Sequence, residues 1–130
     1  MSEAFTFPKS RHLRHAADFQ RVYSRKWRAS DSHLLIFGDA NPEGTTRIGL
    51  SVSKKHGNAV RRARIKRLLR EAYRLKQHEI GEGLDLILIP RVGSGAELQD
   101  YQASLVRLTR KLHKRLSQAT TVSPSPEEKR

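Results

Sequence analysis

The chain has no cysteine, which excludes disulfides, thiolate zinc sites and cysteine nucleophiles together and fits a reducing compartment. Long apolar runs are missing too. The longest, Leu86 to Pro90, is far short of the roughly 20 residues that cross a bilayer. Met1 to Lys9 lacks the apolar stretch of a signal peptide, so a cytoplasmic location is expected. Acids are scarce: 13 Asp and Glu stand against 26 Lys and Arg, a net charge of +13 on 130 residues. Charge at that density repels itself and calls for a polyanion. An acidic membrane surface would want an amphipathic helix with large apolar side chains or a long apolar span. No long apolar span is present, and nucleic acid is the favoured partner. Apolar residues make up only 36%, so the core must be small and a single domain is expected.

What is there organises into alternating periodicities. Residues 1–12 mix Pro8 with basic and small polar residues and are expected to form a flexible basic arm. From His15 to Arg25, the spacing of Phe19, Val22 and Tyr23 places them on one face of a short helix. His33 to Phe37 reads as a strand, Asn41 to Gly44 as a turn, and the alternation of Ile48, Leu50 and Val52 as a second strand. These two strands are expected to pair as a hairpin, with a possible further strand near Trp27. Asn58 is a candidate N-cap for a helix from Ala59 to about Gln77. Leu84 to Ile89 is nearly continuously apolar, the pattern of a strand buried on both faces. Leu105, Leu108, Leu112 and Leu116 then mark a basic amphipathic helix from about Leu98 to Leu116. Residues 118–130 hold almost nothing apolar and are expected to be disordered. The folded part is therefore placed at residues 13–117, as an α+β domain.

The helix after Asn58 carries the functional argument. Turned at 100° per residue, it puts Ile65, Leu68, Leu69, Ala72 and Leu75 in one arc, the expected core face. Arg62, Arg64, Lys66, Arg67, Arg70 and Arg74 fill most of the rest. A charged helix face is ordinarily only solvated. From Lys54 to Lys76, however, ten basic residues meet one acid, Glu71. That forgoes most of the i,i+4 ion pairs that stabilise a surface helix. Arg outnumbers Lys, which favours forked contacts to phosphates. A rigid basic surface suits a folded nucleic acid.

The run Arg47-Ile48-Gly49-Leu50-Ser51-Val52-Ser53-Lys54-Lys55, followed by Asn58-Ala59-Val60-Arg61-Arg62-Ala63-Arg64-Ile65-Lys66-Arg67-Leu68-Leu69-Arg70-Glu71, resembles the bacterial ribonuclease P protein family. The resemblance extends from about Leu13 to Leu116. It implies an α-β-β-(β)-α-β-α sandwich with a central mixed sheet and a left-handed βαβ crossover, the opposite hand to nearly all such connections. It also implies an RNA-binding subunit of an endoribonuclease whose catalytic groups lie in an RNA. That RNA and precursor tRNA would be the partners, the isolated protein being monomeric. Mg²⁺ would be held by RNA and substrate, and the protein would lower the requirement for it. The implied RNA contacts are Arg61, Arg62, Arg64, Lys66, Arg67, Arg70 and Arg74. The family usually has Asn where Ala63 stands, so one hydrogen-bonding side chain is missing from the basic arc. The implied cleft for the single-stranded 5′ leader comprises Phe19, Tyr23 and Phe37, with Lys54 and Lys55 at its edge. Rings stack on unpaired bases of any sequence, at about 1–3 kcal/mol each. On the residues alone, Phe19 and Phe37 would more often be ordinary core.

A nuclease in its own right would need histidines or carboxylates gathered at one place. The six histidines are scattered, and Asp and Glu form no close pair flanked by a strand end, so no catalytic residue is assigned. His56 is expected to be structural. The alternative reading is a binder of ribosomal or other structured RNA without a leader cleft.

Overall fold

The computed structural model describes residues 7–41 and 43–121, the last three by backbone alone. In chain order the elements are α1 (Ala16–Arg25), β1 (Arg28–Ser30), β2 (Leu34–Ala40), β3 (Arg47–Leu50), α2 (Ala59–Lys76), β4 (Leu84–Pro90) and α3 (Leu98–Thr121). The strands form one mixed sheet in the order β1-β2-β4-β3. Antiparallel pairing joins β1 to β2 and β2 to β4, while β3 and β4 run parallel through the α2 crossover. The strand near Trp27 is thus β1.

The expected hairpin between the second and third strands does not form, because β4 inserts between them. Leu84, Leu86 and Leu88 point to α2 and α3, and Ile87 to α1, all of them buried. A strand apolar on both faces gains most at the centre of the sheet, where both faces and both backbone edges are covered. The turn after β2 accordingly docks on β4's entry: the Asn41 N–H donates to the Gly83 carbonyl at 2.7 Å.

The sheet divides the core unequally. On one side Leu34, Ile36, Ile48 and the β4 leucines pack against Leu69, Ala72 and Tyr73 of α2 and the Tyr101, Leu105, Leu108, Leu112 and Leu116 stripe of α3. On the other, Leu13, Val22 and Ile87 form a smaller cluster beneath α1, flanked by half-buried Phe19, Tyr23, Phe37 and Ile89. The buried face of α2 is rotated from the expected arc. Tyr73 replaces Leu75 in it, while Ile65, Leu68 and Leu75 are only half-buried. Asn58 does cap α2, its side chain accepting from the Arg61 N–H at 2.9 Å.

Both ends depart from expectation where they are described. Residues 7–12 pack on the domain. The Phe7 ring stacks on His12 at 4.0 Å and leans on Tyr73 at 5.1 Å, and His12 bridges to Ile48 at the edge of β3. An aromatic ring in an otherwise polar segment finds more apolar contact there than in water. α3 continues to Thr121, because helix formation adds a hydrogen bond for each residue fixed once a long helix exists. The remainder of the expected arm, residues 1–6, and of the expected tail, residues 122–130, lies outside the described residues.

Candidate nucleic-acid interface

The basic residues of α2 fall into groups. Arg61, Arg64, Arg67 and Arg70 are exposed. Lys66 and Arg70 line a small cavity of about 240 Å³ with Arg14, Phe19, Ile48 and Leu50. This cavity lies at the outer edge of β3, beside residues 12 and 13 that pair there, so the basic surface continues around the sheet to the first ring of α1. Arg62 and Arg74 are engaged within the protein. Arg62 Nε donates to the Gly57 carbonyl at 3.2 Å. Arg74 forks onto Glu71 at 3.0 and 2.5 Å, and its hydrogen bonds hold the Glu71 carboxyl below the usual range.

Phe19, Tyr23 and Phe37 come together as a strip across the α1 face of the sheet. Phe19 and Tyr23 lie 6.4 Å apart, and Tyr23 meets Phe37 edge-on at 5.0 Å. All three are half-buried, so the choice between core and surface resolves as both: each ring packs on its neighbours and keeps part of its area open. The fit is tight at Gly49, where any Cβ would stand 2.5 Å from the Phe19 ring. Lys54 and Lys55 are exposed on the turn that follows β3. Lys55 lines the same groove as Arg61 and Arg64. His56 is buried, its Nε2 3.1 Å from the Pro90 carbonyl oxygen.

One side of the strip is flanked by charges that linear spacing does not reveal. Asp39 of β2 and Asp85 of β4 are direct cross-strand partners, although they stand far apart in sequence and no acid pair was expected. Like charges so placed are destabilising, and two arginines neutralise them. Arg47 forks onto Asp85 at 2.9 and 2.7 Å. Arg21 spans the pair, donating to Asp39 at 2.6 Å and also to Asp85. The Asn41 amide donates to Asp85 at 3.0 Å. Burial disfavours the Arg21 charge, yet its bonds to Asp85 and Asp39 outweigh burial and raise its pKa. For Arg47 the bonds to Asp85 dominate and act in the same direction. Because the carboxylate oxygens are taken up by guanidinium groups, this cluster is a latch and not a catalytic or metal site. Among the described residues no group of three or more His, Asp or Glu could hold a metal ion. Nor is any described helix long and apolar enough to cross a membrane.

The network was missed because Asp85 interrupts an apolar run by a single residue. The one available signal was a charge at a position expected to be buried, which requires a buried partner.

Comparison with known proteins agrees with this geometry. The family model described as Ribonuclease P matches residues 7–116, and so includes the segment packed by Phe7. The ribonuclease P protein component of Lachnoclostridium phytofermentans is 38% identical over 109 residues, covering 83% of this chain and 93% of that protein. That of Clostridioides difficile is 36% identical, covering 81% and 94%. Among solved structures, the Staphylococcus aureus RNase P protein superposes with a TM-score of 0.69 at 33% identity, covering 82% of this chain and 97% of that one. The Thermotoga maritima RNase P protein gives 0.71 at 26%, covering 77% and 96%.

Proposed function

Because this chain belongs to the ribonuclease P protein family, the protein subunit of the enzyme that removes the 5′ leader of precursor tRNA, we propose that its two surfaces divide that task. The exposed arginines of α2, with Lys66, hold the catalytic RNA. The strip of Phe19, Tyr23 and Phe37 receives the single-stranded leader by stacking, which accepts any base. Lys54 and Lys55, at the turn between the two surfaces, supply phosphate contacts that position without reading sequence. Arg62 and Arg74 serve in RNA binding after exchanging their internal partners for phosphate. Mg²⁺ is held by RNA and substrate, and added positive charge from the protein reduces how much of it the complex needs.

The observation that carries this reading is the cavity at the β3 edge, where Lys66 and Arg70 of the RNA-binding helix share a wall with Phe19 of the strip. A leader lying on the strip would pass directly to the RNA surface. The test is cleavage of a precursor tRNA by a bacterial ribonuclease P RNA at low Mg²⁺, with and without this protein. Cleavage that appears only on combining the two is expected. A protein that adds nothing to a competent RNA, and binds precursor and mature tRNA equally in the complex, would favour a structured-RNA binder with no role in leader recognition.

A further inference from the structure

On the opposite side of the sheet from the aromatic strip, a groove of about 730 Å³ runs between the first turns of α2, the loop after β4 and the start of α3. Its size is that of sites that take a small molecule or a single nucleotide. The floor is apolar, built from Ile65 and Leu68 of α2 and Leu98 of α3, all half-buried. Val92, one of two large apolar side chains strongly exposed among the described residues at 55%, stands on its wall. The rim carries Lys55, Arg61 and Arg64 on one side and Arg91 on the other, against the one lining acid, Glu97. Gly93 and Gly95 take φ of 78° and 65°, and a Cβ at either would meet nothing within 4 Å, so the loop wall is thin and open.

An apolar floor between cations on both banks matches an unpaired nucleotide, whose flat base seeks apolar cover while its flanking phosphates seek guanidinium. A peptide helix would use the floor and leave three arginines idle. The groove shares Arg61 and Arg64 with the RNA-binding helix and lies across the sheet from the leader strip, so the occupant belongs to the catalytic RNA. We infer that the groove between α2, the 91–95 loop and α3 captures an unpaired nucleotide of the RNA subunit, with Arg91 and Val92 as contacts outside the basic helix. The inference rests on the ribonuclease P reading of the chain.

Two variants of the full-length protein separate the contributions. Gln99→Trp, at an exposed lining position, fills the groove without changing charge, and Arg91→Ala removes one rim cation. Each is expected to weaken binding to a bacterial ribonuclease P RNA about tenfold, the scale of one lost base contact. The slope of log affinity against log salt should fall by about one unit for Arg91→Ala and stay unchanged for Gln99→Trp. The preference of the assembled complex for leader-bearing tRNA should hold in both. Wild-type affinity in both variants, with circular dichroism showing them folded, overturns the groove. Intact RNA affinity with a lost leader preference also overturns it, by assigning the groove to substrate. If the wild-type protein does not bind the RNA at all, the ribonuclease P reading fails first and the inference goes with it.

Discussion

Asp85 shows how much a single side chain decides here. Fully buried and joined to two arginines and an amide, it leaves cations stranded if removed. Breaking one partner of a buried ion pair costs about 3 kcal/mol or more. Asp85→Ala should therefore lower the unfolding free energy measured by urea denaturation by that much, and a loss under about 1 kcal/mol would mean that water replaces the carboxylate. Gly49 is a steric counterpart. Gly49→Ala must displace the Phe19 ring, at about 1–2 kcal/mol of overpacking, and should reduce the preference for precursor over mature tRNA. Adding Phe19→Leu should restore stability in a double-mutant cycle without restoring that preference. Restoration of both would show that the ring only packs.

At the scale of elements, α2 carries a core face and a basic face on one rod, and the two respond to different perturbations. Reversing Lys66 and Arg67 to Glu leaves Leu69, Ala72 and Tyr73 untouched. It should weaken binding to the RNA and flatten its salt dependence by about two units, near 0.9 per lost phosphate contact. A salt series with an unchanged slope would remove these residues from the interface. α1 is held differently. Its own apolar contacts are few, and Arg21 latches it to Asp39 and Asp85 of the sheet, so the aromatic strip is positioned by charge as much as by packing.

For the molecule as a whole, a net charge of +13 makes acid the weak side of the stability profile. Below the carboxylate range the acids that offset this charge are lost and repulsion grows. Glu82 is one of them. Burial works against its charge, but hydrogen bonds from Arg11 and the Thr46 N–H outweigh burial and lower its pKa below 4.5. A group depressed in this way stabilises fully above its unfolded pKa, and the contribution fades as pH falls through the folded value. Glu82→Gln should thus cost up to about 1 kcal/mol at neutral pH, since the side chain is more than half exposed. The difference from wild type should shrink as pH falls through the depressed folded value and vanish below it. A difference that persists there would mean that the amide strains the contact with residues 7–12.

Charge, elements and the class of partner were legible in the order of residues alone. Net charge, the basic arc of α2, the Asn58 cap and the apolar run of β4 are local properties, fixed by residue type and by periods of two and 3.6. The family was legible too, because the order of residues from Arg47 to Glu71 is specific. Which strands are neighbours was not legible there, since pairing depends on burial on both faces of β4 and not on proximity in sequence. Tertiary structure likewise brought Asp39 beside Asp85, carried Lys66 and Arg70 around to Phe19, and laid Phe7 against Tyr73. Each of these contacts joins residues far apart in the chain, and the free energy that favours them exists only once the intervening segments have folded.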